Sequence, residues 1–419
     1  MPAILCLNAG SSSVKFSIYS REHHPRLLVI GAVSGLTAER QSIDYKSFSS
    51  DGTVIESIQD QQVDCPDHDA AFKLFLDHLE SRAGERRVLK SVDDIGVTCH
   101  RIVHGGANPK PLVITKNVYD ELDILSDLAP LHNQRALDIV HSCITTLKHT
   151  KNIAFFDSSF HTTIPEHVYT YPMDIETQRR NKIRKYGFHG LSYAYITSET
   201  AAFLGRDVTD LNIIALHLGS GASACAIKKG KSINTSMGLT PLEGLPGATR
   251  SGSIDPSLIF HYVADSSNLL TSSTRDVHLT VAEDILNRHS GWSAITGTTD
   301  FGLITQRAQQ GDHDAKLAFD IFVDRVSSFV GSYFVALKGQ VDALVFAGGI
   351  GEKGAGLREA VIENVGCLGL ALDTKLNTSV SKSSEKAVII SKDNAKIKIL
   401  VVQTDEQLQM AKEVIAGEF

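Results

Sequence analysis

The sequence predicts an α/β fold built from two duplicated lobes, each a mixed β-sheet flanked by helices. Its 419 residues exceed what one hydrophobic core usually serves, so two domains are expected. A strand, a turn rich in glycine and serine and a second strand run through Ala3–Tyr19, and the same plan returns at Ile213–Lys228. Apolar β-rich segments also alternate with helical patterns along the chain, as is typical of sheets covered by helices.

The individual elements follow from hydrophobic periodicity. Strands are predicted at Ala3–Leu7, Val14–Tyr19, Leu27–Val33, Asp94–Val103, Asn152–Phe156, Asn212–Leu218, Ala222–Lys228, Ala343–Gly348 and Ile397–Val402. Helices are predicted at Asp67–Ser81, Gln134–Leu147, Tyr193–Leu204, Ala315–Lys338 and Asp405–Ala416. The apolar strand before the last helix could return the chain to the first lobe. We therefore expect a discontinuous first lobe of residues 1–157 and 405–419, and a second lobe of residues 158–404.

Composition argues against a membrane or nucleic-acid partner. The chain is 42% hydrophobic and 21% charged, its net charge is −7, and no apolar run approaches the roughly 18 residues that span a membrane. The start, Met1–Cys6, lacks the basic and apolar segments of a signal peptide, so we expect a cytoplasmic protein. The cysteines occur singly within apolar runs and without metal-binding spacing, which predicts buried free thiols at positions 6, 65, 99, 143, 225 and 367.

The two glycine-containing turns suggest phosphate binding. They are the Asn8–Ser13 segment and Gly219-Ser220-Gly221. Glycine lets the backbone approach an anion closely, and exposed amide and hydroxyl groups supply donors for phosphate oxygens. One such turn is weak evidence, but two in a duplicated chain indicate a phosphotransferase.

Polar residues interrupt apolar sequence in four further segments, each expected at the end of a strand. The segments are His100–Gly106, Pro130–Asn133, Phe156–His161 and Tyr186–Gly190. Rigid strands that end in Arg, His or Asp commonly present reactive groups, so the set suggests one lined cleft. A single histidine among them would more often be a hydrogen-bonded core residue.

A long segment, Asn234–Pro256, is too rich in glycine, proline and threonine for regular structure. Long loops inside compact domains are usually functional. This one carries Arg250, whose guanidinium can grip a carboxylate or phosphate with two hydrogen bonds. Taken alone, a loop arginine is more often a surface ion-pair partner.

Together with Gly348–Glu352, these motifs resemble the acetate, propionate and butyrate kinases of the sugar kinase, Hsp70 and actin superfamily. The resemblance runs from residue 3 to about residue 415 and implies two lobes of that superfamily's type, with the active-site cleft between them. It also implies reversible, magnesium-dependent, in-line phosphoryl transfer between ATP and acetate, which gives ADP and acetyl phosphate. Propionate kinase, or a related short-chain acyl kinase with an unusual donor, remains the alternative. The family is typically homodimeric, so a homodimer is expected.

The resemblance assigns roles residue by residue. The catalytic set is Arg101, Asp157, His189 and Arg250, in which we interpret Asp157 as orienting the substrate and the arginines, because acetate is already ionised at neutral pH. The acyl site is assigned to Arg101, Val103, Leu131, His132, Phe188 and Pro241. Mg²⁺, with Mn²⁺ as an alternative, is assigned to Asn8 and Glu406. Without the resemblance, Glu406 would be read as an ordinary first-turn acid that follows an N-cap at Thr404.

The second lobe is expected to bind the nucleotide. The residues assigned to it and to the adjacent phosphates are Ser13, Lys15, His217, Leu218, Gly219, Ser220, Gly221, Asp300, Phe301, Gly302, Gly349, Ile350, Gly351, Glu352 and Lys353. Here the chain departs from the family, because Ser220, Gly302 and Lys353 stand where asparagine, arginine and asparagine are usual. Nucleotide selectivity and the identity of the donor therefore stay open.

Two other functional classes compete with this interpretation. Gly349–Gly354 formally matches the G-x-G-x-x-G pattern of dinucleotide-binding oxidoreductases, but it lies near the end of the chain and not in a first βα unit. A non-catalytic nucleotide-dependent protein of the actin or Hsp70 type would have similar turns. Such a protein would not need the two arginines, the aspartate and the histidine together.

Overall fold

The chain is divided into two compact units. The computed structural model describes residues 3–10, 12–36, 38, 40–80, 88–125, 130–262, 280–383, 385–417 and 419, without the side chains of residues 130–132. The first unit consists of Met1–Ser159 and Asp405–Phe419, and the second consists of Phe160–Thr404.

The first unit contains a mixed sheet of eight described strands. They are β1 (Ala3–Ala9), β2 (Ser13–Tyr19), β3 (Leu27–Ser34), β4 (Gln41–Phe48), β5 (Val54–Val63), β6 (Ile95–Ile102), β7 (Leu112–Val113) and β8 (Lys151–Phe156). Their order across the sheet is β5-β4-β3-β2-β1-β6-β8-β7. Strands β1, β6 and β8 are parallel neighbours, and the remaining pairs are antiparallel.

Three helices of this unit are α1 (His68–Glu80), α2 (Lys116–Leu125) and α3 (Pro130–Thr146). Helix α1 buries its apolar face against the sheet, where the Phe75 ring stacks on Phe16 of β2 at a centroid distance of 4.3 Å. A second apolar cluster joins β6 and β8 to helices α2 and α3. Together the two clusters bury residues of all three parallel strands.

The second unit contains a six-stranded sheet within the described residues. Its strands are β9 (Asn212–Leu218), β10 (Ala222–Lys228), β11 (Lys231–Thr235), β12 (Ala343–Ala347), β13 (Ala387–Ile389) and β14 (Lys398–Val402). Their order is β11-β10-β9-β12-β14-β13, with β9, β12 and β14 parallel and the other pairs antiparallel.

The remaining helices follow in chain order. They are α4 (Glu166–Tyr169), α5 (Ile175–Arg180), α6 (Gly190–Leu204), α7 (Leu258–Tyr262), α8 (Val281–Arg288), α9 (Gly291–Thr296), α10 (Phe301–Gln309), α11 (His313–Ala336), α12 (Gly348–Lys353), α13 (Ala355–Asn364), α14 (Thr374–Ser379) and, in the first unit, α15 (Glu406–Ala416). No helix in the described part of the chain is long and apolar enough to cross a membrane.

The two sheets share one topology. From β3 to β7 in the first and from β11 to β13 in the second, the pairings read antiparallel, antiparallel, parallel, parallel and antiparallel. The predicted α/β class with two duplicated mixed sheets is therefore confirmed. The first sheet carries two extra strands, β4 and β5, for which the sequence analysis made no prediction.

Two local predictions were wrong. The described cysteines are free, but Cys367 is exposed, because it lies in a single 3₁₀ turn that follows α13 instead of in an apolar strand. Only two of the four polar segments follow strands, at the ends of β6 and β8. Pro130–Asn133 opens helix α3, and Tyr186–Gly190 leads directly into helix α6.

Candidate active site

Three polar side chains lie at the carboxyl ends of the parallel strands of the first sheet. Asn8 is near the end of β1, Arg101 is near the end of β6 and Asp157 directly follows β8. Adjacent parallel strands bring their ends to one edge, and the amide of Asp157 donates to the carbonyl of Ile102 at 3.1 Å. The sheet itself thus brings together three residues that are far apart in sequence.

Arg101 is the centre of this cluster. Its Nε and Nη2 donate to the two carboxylate oxygens of Asp157 at 3.0 and 2.6 Å, which fixes the plane of the guanidinium. Its Nη1 donates to Oδ1 of Asn8 at 3.0 Å and lies 3.3 Å from Oε2 of Glu406. Burial lowers the pKa of Arg101, but the charges of Asp157 and Glu406 outweigh that effect and raise it above its usual value.

Glu406 joins the cluster from the first turn of α15. The N-cap of this helix is Asp405, whose side chain accepts from the amide of Leu408, so the predicted N-cap at Thr404 was wrong. Glu406 is the first residue of the helix, and its side chain does not cap it. Its Oε2 instead accepts from Nδ2 of Asn8 at 3.0 Å.

The charges of the cluster favour a divalent cation. Two carboxylates, Asp157 and Glu406, face a single guanidinium, which leaves a net negative charge in a largely buried place. Mg²⁺ prefers carboxylate and amide oxygens and keeps several waters or phosphate oxygens in its shell. Glu406 and Asn8 supply those two oxygen types side by side, so the residues fit the ion as part of a shell that substrates and water complete.

The other predicted residues of the first unit lie near the same strands. Lys15 of β2 is directly opposite Asn8 in the register, so the two side chains share one face of the sheet, and the lysine is exposed. The carbonyl of Ser13 accepts from the amide of Gly10 and closes the first turn. Val103 is half-buried just beyond β6. The side chains of Leu131 and His132 lie outside the described residues.

In the second unit, His189 precedes α6 in a left-handed conformation with φ of 59°. Its Nδ1 is 2.8 Å from Oγ of Ser223, and its ring stacks on that of His217 at a centroid distance of 4.1 Å. Phe188, beside it, is buried. The end of β9, the start of β10 and the residue before α6 therefore hold the two imidazole rings together.

The second turn, Gly219–Gly221, joins β9 to β10 beside these rings. A Cβ added at Gly221 would lie 2.0 Å from Nη2 of Arg250, so the guanidinium can approach this closely only because the residue is glycine. Nε2 of His189 would lie 3.7 Å from the same Cβ, an ordinary contact distance. Arg250 also donates to the carbonyl of Pro241 at 3.3 Å. Since Nε2 of His217 is 4.0 Å from the position of a Cβ at Gly219, the turn is lined by one guanidinium and two imidazoles.

The loop that carries Arg250 is tied to the turn and to itself. The amide of Ala248 donates to the carbonyl of Ser220 at 2.8 Å. Tyr171 donates to Oε2 of Glu243 at 2.7 Å and accepts from the amide of Leu239. Beyond the first two residues, which belong to β11, the segment has no helix or strand up to Pro256, as the sequence predicts.

The other residues of the second unit that were predicted to bind the nucleotide lie at the start of α10, in α12 and at the end of β9. Asp300 is the N-cap of α10 and accepts from the amide of Gly302 at 2.8 Å, whereas Phe301 is buried among core aromatic rings. The predicted residues 349–353 lie in α12, in which Gly349 and Lys353 are exposed. His217 and Leu218 end strand β9, directly before the glycine turn.

Sequence reasoning missed several residues that position this site. Ser223 contacts both Tyr193 and His189, and Ser192 contacts His217. The available signal was weak: a serine inside the apolar strand Ala222–Lys228 implies a buried hydrogen bond without naming its partner. Asp405 could have been found as a second N-cap candidate beside Thr404.

Comparisons with known proteins identify the family of the chain. A sequence model of the acetokinase family matches residues 3–412. The chain is 49% identical, over 445 aligned residues, to a probable acetate kinase of Neurospora crassa, with 99% of this chain and 94% of that protein covered. Two solved structures cover 99% of both chains with a TM-score of 0.82: an acetate kinase of Porphyromonas gingivalis at 31% identity and a propionate kinase of Francisella tularensis at 35% identity.

Proposed function

The chain belongs to the acetokinase family, and on that premise we propose that it transfers a phosphoryl group reversibly between ATP and acetate, giving ADP and acetyl phosphate. One observation carries the proposal: both carboxylate oxygens of Asp157 accept from the guanidinium of Arg101 and fix its orientation at the carboxyl ends of three parallel strands. A preoriented cation suits a reaction in which charge spreads over a phosphoryl between two anionic oxygens.

The proposed division of labour follows from charge. Arg101 and Arg250 would bind the acetate carboxylate and the oxygens of the transferring group, and His189 would donate to the same oxygens. Asp157 would act as an orienting residue, because its carboxylate is already engaged by Arg101 and acetate has no proton to remove at neutral pH. Val103, Phe188 and Pro241 are the proposed apolar contacts of the acyl group.

Asn8 and Glu406 are the proposed protein ligands of Mg²⁺. When bound, the ion would neutralise the nucleotide phosphates and help to orient them. We expect Asn8→Ala and Glu406→Ala to raise the magnesium concentration needed for half-maximal rate as well as to lower the rate. An unchanged magnesium dependence in both variants would place the ion elsewhere.

Propionate is the second candidate acid. The propionate kinase of Francisella tularensis matches this chain as well as the acetate kinase structure does. One methylene is worth about 1–3 kcal/mol in an apolar pocket, so either acid would be turned over and the kcat/KM ratio decides between them. Steady-state kinetics with acetate, propionate and butyrate measures that ratio directly.

Trapping acetyl phosphate as the hydroxamate tests the reaction class. We expect hydroxamate that depends on acetate, ATP and magnesium together. A dinucleotide-dependent oxidoreductase or a non-catalytic nucleotide-binding protein would form none.

We further propose that ATP and ADP are the co-substrates, that the protein is a cytoplasmic homodimer, and that it uses no nucleic-acid or membrane partner. The co-substrates and the dimer rest on the family resemblance, whereas the location and the excluded partners rest on composition and on the lack of a signal-peptide pattern. Light scattering after size exclusion tests the dimer, and a fluorescent fusion in the source cell tests the location.

A further inference from the structure

Behind His189 lies a chain of hydroxyl groups that none of the proposed roles uses. Oγ of Ser223 is 2.8 Å from Nδ1 of His189, and the hydroxyl of Tyr193 makes a short hydrogen bond of 2.5 Å to the same Oγ. Ser223 and Tyr193 are both 0% exposed. Solvent therefore cannot replace either partner.

The direction of these hydrogen bonds follows from counting protons. Burial raises the pKa of Tyr193 well above its usual value, so the phenol stays protonated and needs an acceptor. Within the described residues that acceptor is Oγ of Ser223. The proton of Ser223 then needs an acceptor of its own, and among the described residues the other hydrogen-bonding partner of its Oγ is Nδ1 of His189, so Ser223 donates to Nδ1.

We propose that Tyr193 and Ser223 are positioning residues that hold His189 as the neutral tautomer with its proton on Nε2. When Nδ1 accepts a hydrogen bond, the ring proton must be on the other nitrogen. Nε2 is the nitrogen that lies beside the glycine turn, 3.7 Å from the position of a Cβ at Gly221. His189 is then a fixed hydrogen-bond donor at that turn and not a second cation beside Arg250.

The neighbouring histidine has the same arrangement. Nδ1 of His217 is 2.7 Å from Oγ of Ser192, which is 2.7 Å from Oγ1 of Thr404. In both stacked rings Nδ1 is thus within hydrogen-bonding distance of a buried serine, and that serine contacts a second hydroxyl group.

A neutral donor matches the chemistry proposed above, on which the catalytic part of this inference rests. Hydrogen-bond donors fixed in advance stabilise charge on phosphoryl oxygens without reorganising during the reaction. An imidazolium next to Arg250 would face like-charge repulsion before any phosphate arrived. The hydroxyl chain therefore sets both the orientation and the charge of His189.

Nitrogen NMR of the whole protein tests the tautomer directly. In ¹⁵N-histidine-labelled protein, the signals of His189 are identified by their loss in His189→Asn. We expect a pyridine-type Nδ1 and a pyrrole-type Nε2. Tyr193→Phe, which leaves the Ser223 proton free to rotate, should convert these signals towards a mixture of the two tautomers.

Kinetics tests the consequence. Ser223→Ala should lower kcat by about a hundredfold with nearly unchanged KM values, the scale for losing one oriented donor, and Tyr193→Phe should lower it by about tenfold. Tyr333→Phe is the matched control, because Tyr333 is equally buried and its hydroxyl has no hydrogen-bonding partner among the described residues. That variant should change neither kcat nor the histidine signals.

Three results would overturn the proposal: a pyrrole-type Nδ1 in the wild type, unchanged His189 signals in Tyr193→Phe, or a kcat in Tyr193→Phe equal to that of Tyr333→Phe. Tyr193→Phe keeps the test valid even where Ser223→Ala does not fold. The NMR measurement needs no turnover, so a protein that forms no acetyl phosphate would refute the proposed function while the tautomer is still decided.

Discussion

At the scale of single residues, the cluster around Arg101 derives its order from charge pairing at a rigid sheet edge. The guanidinium makes three hydrogen bonds within the cluster, to Asp157 and Asn8, and it also lies close to Glu406. Removing one member leaves its buried partners unpaired, which is costly in a low-dielectric place. Substitutions here should therefore act on geometry as well as on charge.

We predict that Arg101→Ala lowers kcat by at least about a hundredfold, the scale for a preorganised charge-stabilising donor, and that Asp157→Asn is comparably damaging. An asparagine side chain is neutral and has one acceptor oxygen, so it cannot replace the two carboxylate oxygens that accept from the guanidinium. Arg101 therefore loses its fixed orientation. Steady-state kinetics measures both effects. Arg206→Ala, which breaks a more exposed Arg–Asp pair with Asp342, is the control and should leave kcat unchanged. Near-normal turnover in Arg101→Ala would remove this residue from the site.

Two buried histidines make stability depend on pH. Burial lowers the pKa of His100 and of His161 to about 4, and both rings hydrogen-bond to protein groups, Asn152 for the first and Ser232 and Phe188 for the second. The unfolded chain binds their protons near pH 6.5, whereas the folded protein does so only near pH 4. Their stabilisation is therefore complete above about pH 6.5 and is lost as the pH falls towards 4.

We predict that each of these histidines makes the free energy of unfolding fall by about 2 kcal/mol between pH 7 and pH 5. Urea unfolding at both pH values measures the loss. His100→Gln and His161→Gln should each make the dependence shallower, whatever their stability at pH 7. The exposed His313→Gln is the control, and a dependence in His161→Gln as steep as in the control would contradict the assignment.

At the scale of secondary-structure elements, the sequence predicts most strands of the parallel cores, because buried strands are continuous apolar runs. Strands β1, β6, β9, β12 and β14 were predicted to within two residues at each end. Strands β4 and β5 were not predicted. Strand β5 is mostly exposed, and its sequence lacks a regular alternation of apolar and polar residues. Two polar segments were wrongly assigned to strand ends, because polar residues occur both at strand ends and at helix starts. Only the tertiary structure distinguishes the two cases.

The candidate site shows the same limit. Arg101, Asp157 and His189 were named from motifs, but Ser223 and Tyr193 were not predicted to orient His189. A motif names the residue that does chemistry. The groups that orient it come from strands and helices whose pairing the sequence does not reveal.

One element depends on a single buried arginine. Arg358 of α13 is 1% exposed and donates to the carbonyls of Gly351 and Glu352, the last turn of α12, at 2.7 and 2.9 Å. Its other donors meet the side-chain and backbone oxygens of Asn377. Burial lowers its pKa to about 10, so it remains charged at neutral pH and favours the negative end of α12.

We predict that Arg358→Met lowers the free energy of unfolding by about 3 kcal/mol or more, because several buried oxygens lose their donors. Hydrogen exchange should rise first at the amides of Gly348–Gly354, which this arginine anchors. Arg325→Met, which removes an exposed arginine, is the control and should have little effect. Unchanged exchange in that segment would mean that α12 is held by its other contacts alone.

At the scale of the whole molecule, the shared six-strand topology of the two sheets is the strongest sign of duplication. Both sheets carry a glycine turn between their first two strands, but the surrounding residues have diverged. In the first unit the parallel strands lead to Asn8, Arg101 and Asp157, and in the second they lead to His217 and the glycines of α12. One plan thus carries two different sets of chemical groups.

The phosphoryl donor is the property of the whole enzyme that the departures at Ser220, Gly302 and Lys353 leave most open. Two glycines predicted to contact the nucleotide, Gly349 and Gly302, differ in the space around them. A Cβ added at Gly349 would meet no atom within 4 Å, and one at Gly302 would meet only Oδ1 of Asp300, at 3.1 Å. ATP stays the expected donor, since a glycine-lined face such as α12 would serve no purpose for pyrophosphate alone.

We therefore predict that ATP is preferred over GTP by no more than about tenfold in kcat/KM, because large discrimination needs buried polar groups that read the base. Gly302→Arg should increase that preference, since it places a donor where the resemblance to the family puts an arginine. Its Cβ would lie 3.1 Å from Oδ1 of Asp300, so the N-cap of α10 must shift slightly to accept it. Gly331→Arg is the matched control, as it adds the same side chain at an uncrowded position of α11 and should leave the ratio unchanged. Initial rates with ATP, GTP and pyrophosphate at matched magnesium decide the question. A preference for ATP of a thousandfold would refute the open-site interpretation, and activity with pyrophosphate alone would overturn the choice of donor.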